Sequence, residues 1–384
     1  MKISKMAKCI EQSLSRELFD LAKNYNDVID LTLGDPDVAP SQKIKDAACA
    51  SIQGSKIRYS ANAGLPALRK EIANLIRKEY SINVDENKNV IATVGGMEAL
   101  FLSLACLIDG GDEVIILGPY YSNYKQMVSM CGGQPVIVNT LAENGFMPKI
   151  NQLEEAISDK TIAIIVNSPC NPTGVVYDKK TLETIANFAK KHDLMIITDE
   201  VYKALIFDGK KHESILDFDD MQERTILIDS VSKRYAMTGY RVGFAVAPEE
   251  LVSNMVRMQE YVAACAPVSS QYAAIEAYSN CYEDSFIREK FEERRNYIYQ
   301  AISQIDKLSC IKPQGAFYLF VNVEKTGLNG LEFAYKLLEN EQVAVVPGIS
   351  YGEAYSNYIR IAYTVEVDVL KKAVERINRF MEKL

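Results

Sequence analysis

The 384-residue chain has no tryptophan and only two histidines, His192 and His212. Each histidine follows a pair of lysines ("KKHD", "KKHE"), and both are expected at the surface. Two isolated imidazoles leave no basis for a histidine-rich metal site or a Ser–His–Asp hydrolase. Positive charge is in deficit, with 43 Lys and Arg against 51 Asp and Glu and a net charge of −8. That excludes the basic surface by which nucleic acid or an anionic membrane is held. No apolar run approaches the ~20 residues of a membrane span. The opening "MKISKMAKCIEQSLSRELFD" is too charged for a secretory signal. Eight cysteines form no CxxC pair and no regular spacing, so they read as reduced thiols of a cytoplasmic protein. Internal repeats and low-complexity tracts are absent.

What remains is the composition of an ordinary folded chain, 48% hydrophobic and 24% charged, long enough for two domains. Seven apolar runs read as strands: "NVIATVGG", "DEVIILGP", "QPVIVNT", "TIAIIVNSP", "LMIITDE", "TILIDSVS" and "RVGFAVAP". Several are continuous Ile/Val/Leu segments, the pattern of a parallel sheet covered on both faces. Between them lie helical stretches such as "GMEALFLSLACLIDGGDE", with Leu100, Leu104 and Leu107 at helical spacing. The alternation predicts an α/β sandwich. From about residue 285 the pattern changes to α+β. The chain is expected to divide into a large domain of residues 46–284 and a smaller one of residues 285–384, which residues 1–45 are expected to join although no pattern in the sequence shows it. Ligands of open α/β sheets bind outside the carboxyl ends of the strands, which is where the chemically informative residues fall.

"ATVGGMEAL" sets two glycines at a helix start, where free N–H groups and the helix dipole suit a phosphate; a tight βα turn would use them too. "VNSPCNPTG" fixes Asn171 between two prolines. "IITDEVYKAL" ends a strand on Asp199 and Glu200, with Tyr202 close behind, and a carboxylate at that depth needs a cation or donors. "SVSKRYAMTGYRVG" supplies Ser230, Ser232, Lys233 and Arg241. Arginine matches an anion with its planar fork, whereas lysine is the nucleophile type. A phosphate cradle, a carboxylate, an amide, a phenol and an amine together are what pyridoxal 5′-phosphate uses. The lysine forms a Schiff base and the carboxylate partners the ring nitrogen.

At this point the chain resembles a family. "SKRYAMTGYRVG" is similar to the signature SKxxxMTGxRxG of the class I and II pyridoxal-phosphate-dependent aminotransferases, fold type I, related to aspartate aminotransferase. Further blocks, "LTLGDPDVAP", "RYSANAGLPALRKEIA", "GPYYSNY", "TDEVY", "GAFYLF", "VAVVPG" and "YIRIAY", follow in family order from about residue 31 to 363. The resemblance implies a seven-stranded, mostly parallel sheet between helices, with a smaller α+β domain. It implies Lys233, Asp199 and Tyr202 as catalytic residues. Lys233 would be the Schiff-base lysine, Asp199 the partner of the ring nitrogen, and Asn171 and Tyr202 the donors to the phenolic oxygen. Tyr121 would stack on the ring, and Gly96, Met97, Ser230, Ser232 and Arg241 would hold the phosphate. Tyr59 would reach the phosphate of a partner subunit, which implies a homodimer with shared sites. Arg360, with Asn171 and Gly34, would bind the substrate α-carboxylate. The reaction so implied passes an α-amino group from an amino acid to a 2-oxo acid, with 2-oxoglutarate the expected acceptor. A C–S β-lyase of the same fold remains an alternative. Two positions depart from the commonest pattern: Met97 stands where many relatives have lysine, and "ISYG" follows "VAVVPG".

Overall fold

The computed structural model describes residues 2–54, 57–80, 82–280 and 286–384. The seven runs named above form one seven-stranded sheet: β1 (Val90–Thr93), β2 (Glu113–Gly118), β3 (Gln134–Asn139), β4 (Thr161–Asn167), β5 (Met195–Asp199), β6 (Thr225–Ser230) and β7 (Gly243–Val246). Their spatial order is β1-β7-β6-β5-β4-β2-β3. The pairs β3–β2, β2–β4, β4–β5 and β5–β6 are parallel, and only β7 runs antiparallel to its neighbours β1 and β6.

Why these runs are continuous rather than alternating is visible in where each side chain goes. On β2, Ile115 and Leu117 enter one core while Val114 and Ile116 enter the core on the opposite face. On β4, Ile164 and Val166 part in the same way from Ala163 and Ile165. Period-2 side chains with helices on both faces leave no solvent side, so every position is apolar. The helix Pro66–Tyr80 closes one face through Leu68, Ile72, Leu75 and Ile76, at i, i+4, i+7 and i+8.

A third core joins both ends of the chain. Leu18, Ile29 and Leu31 pack with Phe291, Phe317, Phe333, Val343, Ile361 and Phe380. There Ile29–Asp30 pairs in parallel with Val343–Ala344, and Tyr318–Asn322 is sandwiched between Ser309–Cys310 and Tyr358–Ala362. The expected boundary at residues 284 and 285 lies outside the described residues. Both X–Pro bonds flanking Asn171 are cis, as is Gly118–Pro119. Among the described residues no helix is long and apolar enough to cross a membrane.

The antiparallel β7 brings Gly243 against the start of the helix Gly95–Leu107. A Cβ there would overlap the backbone nitrogen of Gly96 and the carbonyl carbon of Gly95. Neither atom can yield without moving the helix. Gly243→Ala is therefore expected to destabilise the protein by about 2 kcal/mol, read by urea unfolding. Unchanged stability would contradict this contact.

Candidate active site

A cavity of about 500 Å³ opens at the carboxyl edge of the sheet, a size that suits a small cofactor with its substrate. Gly34, Gly96, Met97, Tyr121, Asn171, Asp199, Tyr202, Ser230, Ser232, Lys233, Arg241 and Arg360 all line it. Of the sequence-predicted residues, Tyr59 alone lies elsewhere. It is 88% exposed, on a groove with Ile57, Val94, Ala266, Pro267 and Val268.

One wall is an anion cradle. Ser230 caps the short helix Val231–Arg234, its Oγ accepting the Ser232 N–H at 3.3 Å. The N–H groups that open the helix Gly95–Leu107 have no intrahelical acceptor. Arg241 adopts the left-handed region (φ 55°), and its Nη1 donates to the Thr238 carbonyl at 3.0 Å. That turn lays its guanidinium over Gly95, where any Cβ would sit 2.5 Å from Nη2. Gly95 itself has φ +72°, so a side chain there is excluded twice.

The floor is Asp199, the last residue of β5. Tyr124 donates to its Oδ2 at 2.6 Å and the Val201 N–H to its Oδ1 at 3.3 Å. Among the described residues no cation pairs with it. Burial lifts its carboxyl to about 6, the carboxylates of Asp229 and Glu200 add to the rise, and the Tyr124 and Val201 donors oppose it. Asn167 ties the floor to the neighbouring loop: its Nδ2 donates to the Asp199 carbonyl (2.9 Å) and its Oδ1 accepts the Asn171 N–H (2.9 Å).

Above the floor, the Lys233 amine donates to the Gly34 carbonyl at 2.6 Å. Burial pushes its pKa down to about 8; Asp35 opposes the fall, and Arg241 and Arg360 deepen it. Arg360 is 5% exposed, with Nη1 on Asn171 Oδ1 at 3.0 Å and Nη2 on the Thr32 carbonyl at 2.5 Å. Its carbon lies 4.3 Å from the Tyr318 ring centre and 5.1 Å from that of Tyr351, and its Nε has no hydrogen-bond partner. A buried guanidinium with an unused donor fits a small carboxylate. Tyr202 shares a 2.9 Å hydrogen bond with Tyr318, and burial raises the Tyr202 hydroxyl well above its usual range. Tyr121 packs edge-on against Tyr124, and burial lifts its hydroxyl to about 12.

Sequence reasoning missed Tyr124, Asn167, Tyr318 and Thr32. All four lie inside quoted runs, but nothing in the spacing separates Tyr124 from Tyr120 and Tyr121. His212, expected at the surface, is instead 86% buried by its side chain's 14% exposure, because its Nε2 meets the buried Glu200 at 2.5 Å.

These residues fit pyridoxal phosphate on structural grounds. The cavity offers an anion cradle at one end, a carboxylate without a cation at the floor and a deprotonable amine between them. The architecture is that of the fold type I pyridoxal-phosphate enzymes. Comparison agrees throughout the chain, with residues 26–377 matching the aminotransferase class I and II family. The chain is 39% identical to the aspartate aminotransferase of Pyrococcus abyssi, covering 100% of this chain and 99% of the relative. It is 38% identical to the aromatic-amino-acid aminotransferase 2 of Thermococcus litoralis over 100% and 99% of the two chains. The crystal structure of the Thermus thermophilus aspartate aminotransferase with maleate superimposes with a TM-score of 0.93 at 33% identity, covering 99% of each chain. The chain belongs to the aminotransferase class I and II family and is an amino-acid aminotransferase.

The depressed Lys233 pKa gives a direct prediction for the cofactor-free protein. An amine-directed reagent should modify Lys233 with a midpoint near pH 8, because only the neutral amine reacts. Arg360→Met removes a repelling charge and should move that midpoint upward. A midpoint in the ordinary lysine range, followed by mass spectrometry of the Lys233 peptide, would contradict the geometry.

Proposed function

We propose that the cavity holds pyridoxal 5′-phosphate, with Lys233 as its covalent anchor, and passes an amino group from an amino acid to 2-oxoglutarate in two half-reactions. One observation carries this reading. The Lys233 amine, pushed down to about 8, shares a single cavity with the unpaired Asp199 carboxylate and the Arg360 guanidinium. When bound, the cofactor supplies an electron sink for the charge left on the substrate α-carbon.

The chain's own residues do the rest. Asp199 would hold a proton on the ring nitrogen, with Tyr124 fixing the carboxylate in place. Asn171 and Tyr202, which line the cavity, would donate to the phenolic oxygen, and Tyr121 would pack against the ring. The Gly96 and Met97 N–H groups, Ser230, Ser232 and Arg241 bind the phosphate. Arg360, oriented by Asn171 and Thr32, would bind the α-carboxylate in the cavity that Lys233 also lines. Lys233, once released by substrate, would carry the proton from the α-carbon, and the Gly34 carbonyl, 2.6 Å from Nζ in the cofactor-free protein, would hold the amine while it is free.

The same reading makes the active form a homodimer. Tyr59 of the partner subunit completes the phosphate site. In support, the groove around Tyr59 includes Val94, whose carbonyl lies 3.5 Å from Arg241 Nη2. A large domain of residues 46–284 carries the cofactor, with residues 1–45 and 285–384 as the small one. The six cysteines whose side chains are described are free, which supports a reducing, cytoplasmic setting.

The test is the visible absorption of the purified protein during addition of single amino acids without any oxo acid. Loss of the yellow band to the pyridoxamine form, and its return with 2-oxoglutarate, is the expected result. Release of pyruvate from cystathionine with the band intact would favour the lyase and overturn the reading. Asp199→Ala should lose at least about a hundredfold in kcat/KM. Near-normal kinetics would remove Asp199 from the mechanism. For the dimer, Tyr59→Ala and Lys233→Ala chains should each be inactive, yet regain activity when unfolded and refolded together. No recovery would contradict a shared site.

A further inference from the structure

Directly behind the cavity lies a set of buried charges that this mechanism does not use. Side chains alternate along a strand, so Asp199 and Ser230 face the cavity while their neighbours Glu200 and Asp229 face the other way. Lys233 likewise lines the cavity, and Arg234, next to it, turns away. Glu200 is 1% exposed, Asp229 3% and Lys203 8%. Lys203 joins them. Its Nζ lies 2.8 Å from Glu79 Oε2, 3.0 Å from Asp229 Oδ2 and 2.7 Å from the Tyr80 hydroxyl. Tyr80 in turn donates to Glu200 at 2.7 Å. Ser214, Thr198 and His212 complete the shell of Glu200, and Arg234 pairs with Glu79 at 2.7 Å. Three carboxylates thus share two permanent cations.

We infer that Lys203 is a positioning residue: it ties together the segments that carry Asp199, Ser230 and Lys233, and it screens the cavity from the carboxylates behind it. The network thereby helps set the proton affinity at Lys233. This rests on the cofactor reading given above. Burial aside, Asp229 and Glu200 already push the Asp199 carboxyl upward. Without Lys203, Asp229 loses the cation 3.0 Å from it, and Glu200 loses the one that reaches it through Tyr80. The groups that face Lys233 from other elements are Asp35, Arg241, Arg360 and Asp199, with Tyr124 on Asp199, and the variants below leave all of them in place.

Two opposite charge changes test this. The visible band of the pyridoxal-phosphate-loaded protein is titrated with pH, and the amine-reagent midpoint of Lys233 is measured in the cofactor-free protein. Lys203→Met removes a positive charge and should raise both midpoints by about half a unit to one unit. Glu200→Gln removes a negative charge and should lower both. Lys203→Arg should restore the wild-type values. A merely structural role would lower the melting temperature and leave the midpoints alone, or move both variants in the same direction. Either result overturns the inference. If Lys203→Met does not fold, the direction of the near-isosteric Glu200→Gln shift decides. A wild-type protein that takes up no cofactor would sink the cofactor reading, while the Lys233 midpoint in the cofactor-free protein would still judge Lys203.

Discussion

A partly buried carboxylate that no cation among the described residues meets is the constraint on which the site depends. Asp199 ends β5 facing a cavity, and its partners are a phenol and one backbone N–H. Such a group is costly to keep ionised, and burial drives its pKa to about 6. A protonated ring nitrogen placed against it would remove that cost and gain a charge-assisted hydrogen bond. The same logic applies around it. Lys233 is pushed towards neutrality by burial and by two arginines, and Arg360 keeps an unused donor in a buried place. Each group is left short of a partner that one ligand pair supplies.

The sheet makes this affordable through its two-sidedness. Parallel strands end together, so β4, β5 and β6 deliver Asn167, Asp199 and Ser230 to one edge. Because neighbours alternate, every residue sent into the cavity has an adjacent one sent behind it. Glu200 and Asp229 are the reverse sides of Asp199 and Ser230, and the charge network around Lys203 is the consequence. The functional wall is thus a two-layer structure. Substitutions in its hidden layer reach the cavity through electrostatics as well as packing.

How much of this the sequence carries differs by kind of information. The strands were legible because both faces of the sheet are buried, which forces unbroken Ile/Val/Leu runs. Lys233, Arg241 and Asp199 stand out in the sequence because charges beside the ends of apolar strands are unexpected there, whereas Arg360, inside the strand Tyr358–Ala362, is singled out by the resemblance alone. Tyr124 does not stand out: among three tyrosines in five residues, only the helix Asn123–Met130 decides which one turns to Asp199. His212 was misjudged because its flanking lysines suggest the surface, whereas its partner Glu200 is twelve residues away and buried. Tyr318 meets Tyr202 across 116 residues of chain, a pairing that no local pattern encodes.

The central claim is that Asp199 exists to keep a proton on the cofactor's ring nitrogen. It is tested most directly by the ¹⁵N resonance of ring-labelled pyridoxal phosphate bound to the protein, recorded across a pH series in wild type and in Asp199→Asn. The account predicts a protonated nitrogen in the wild type well above the pH at which the free cofactor loses that proton, and a neutral one in the variant. A neutral ring nitrogen in the wild-type protein at neutral pH would contradict it.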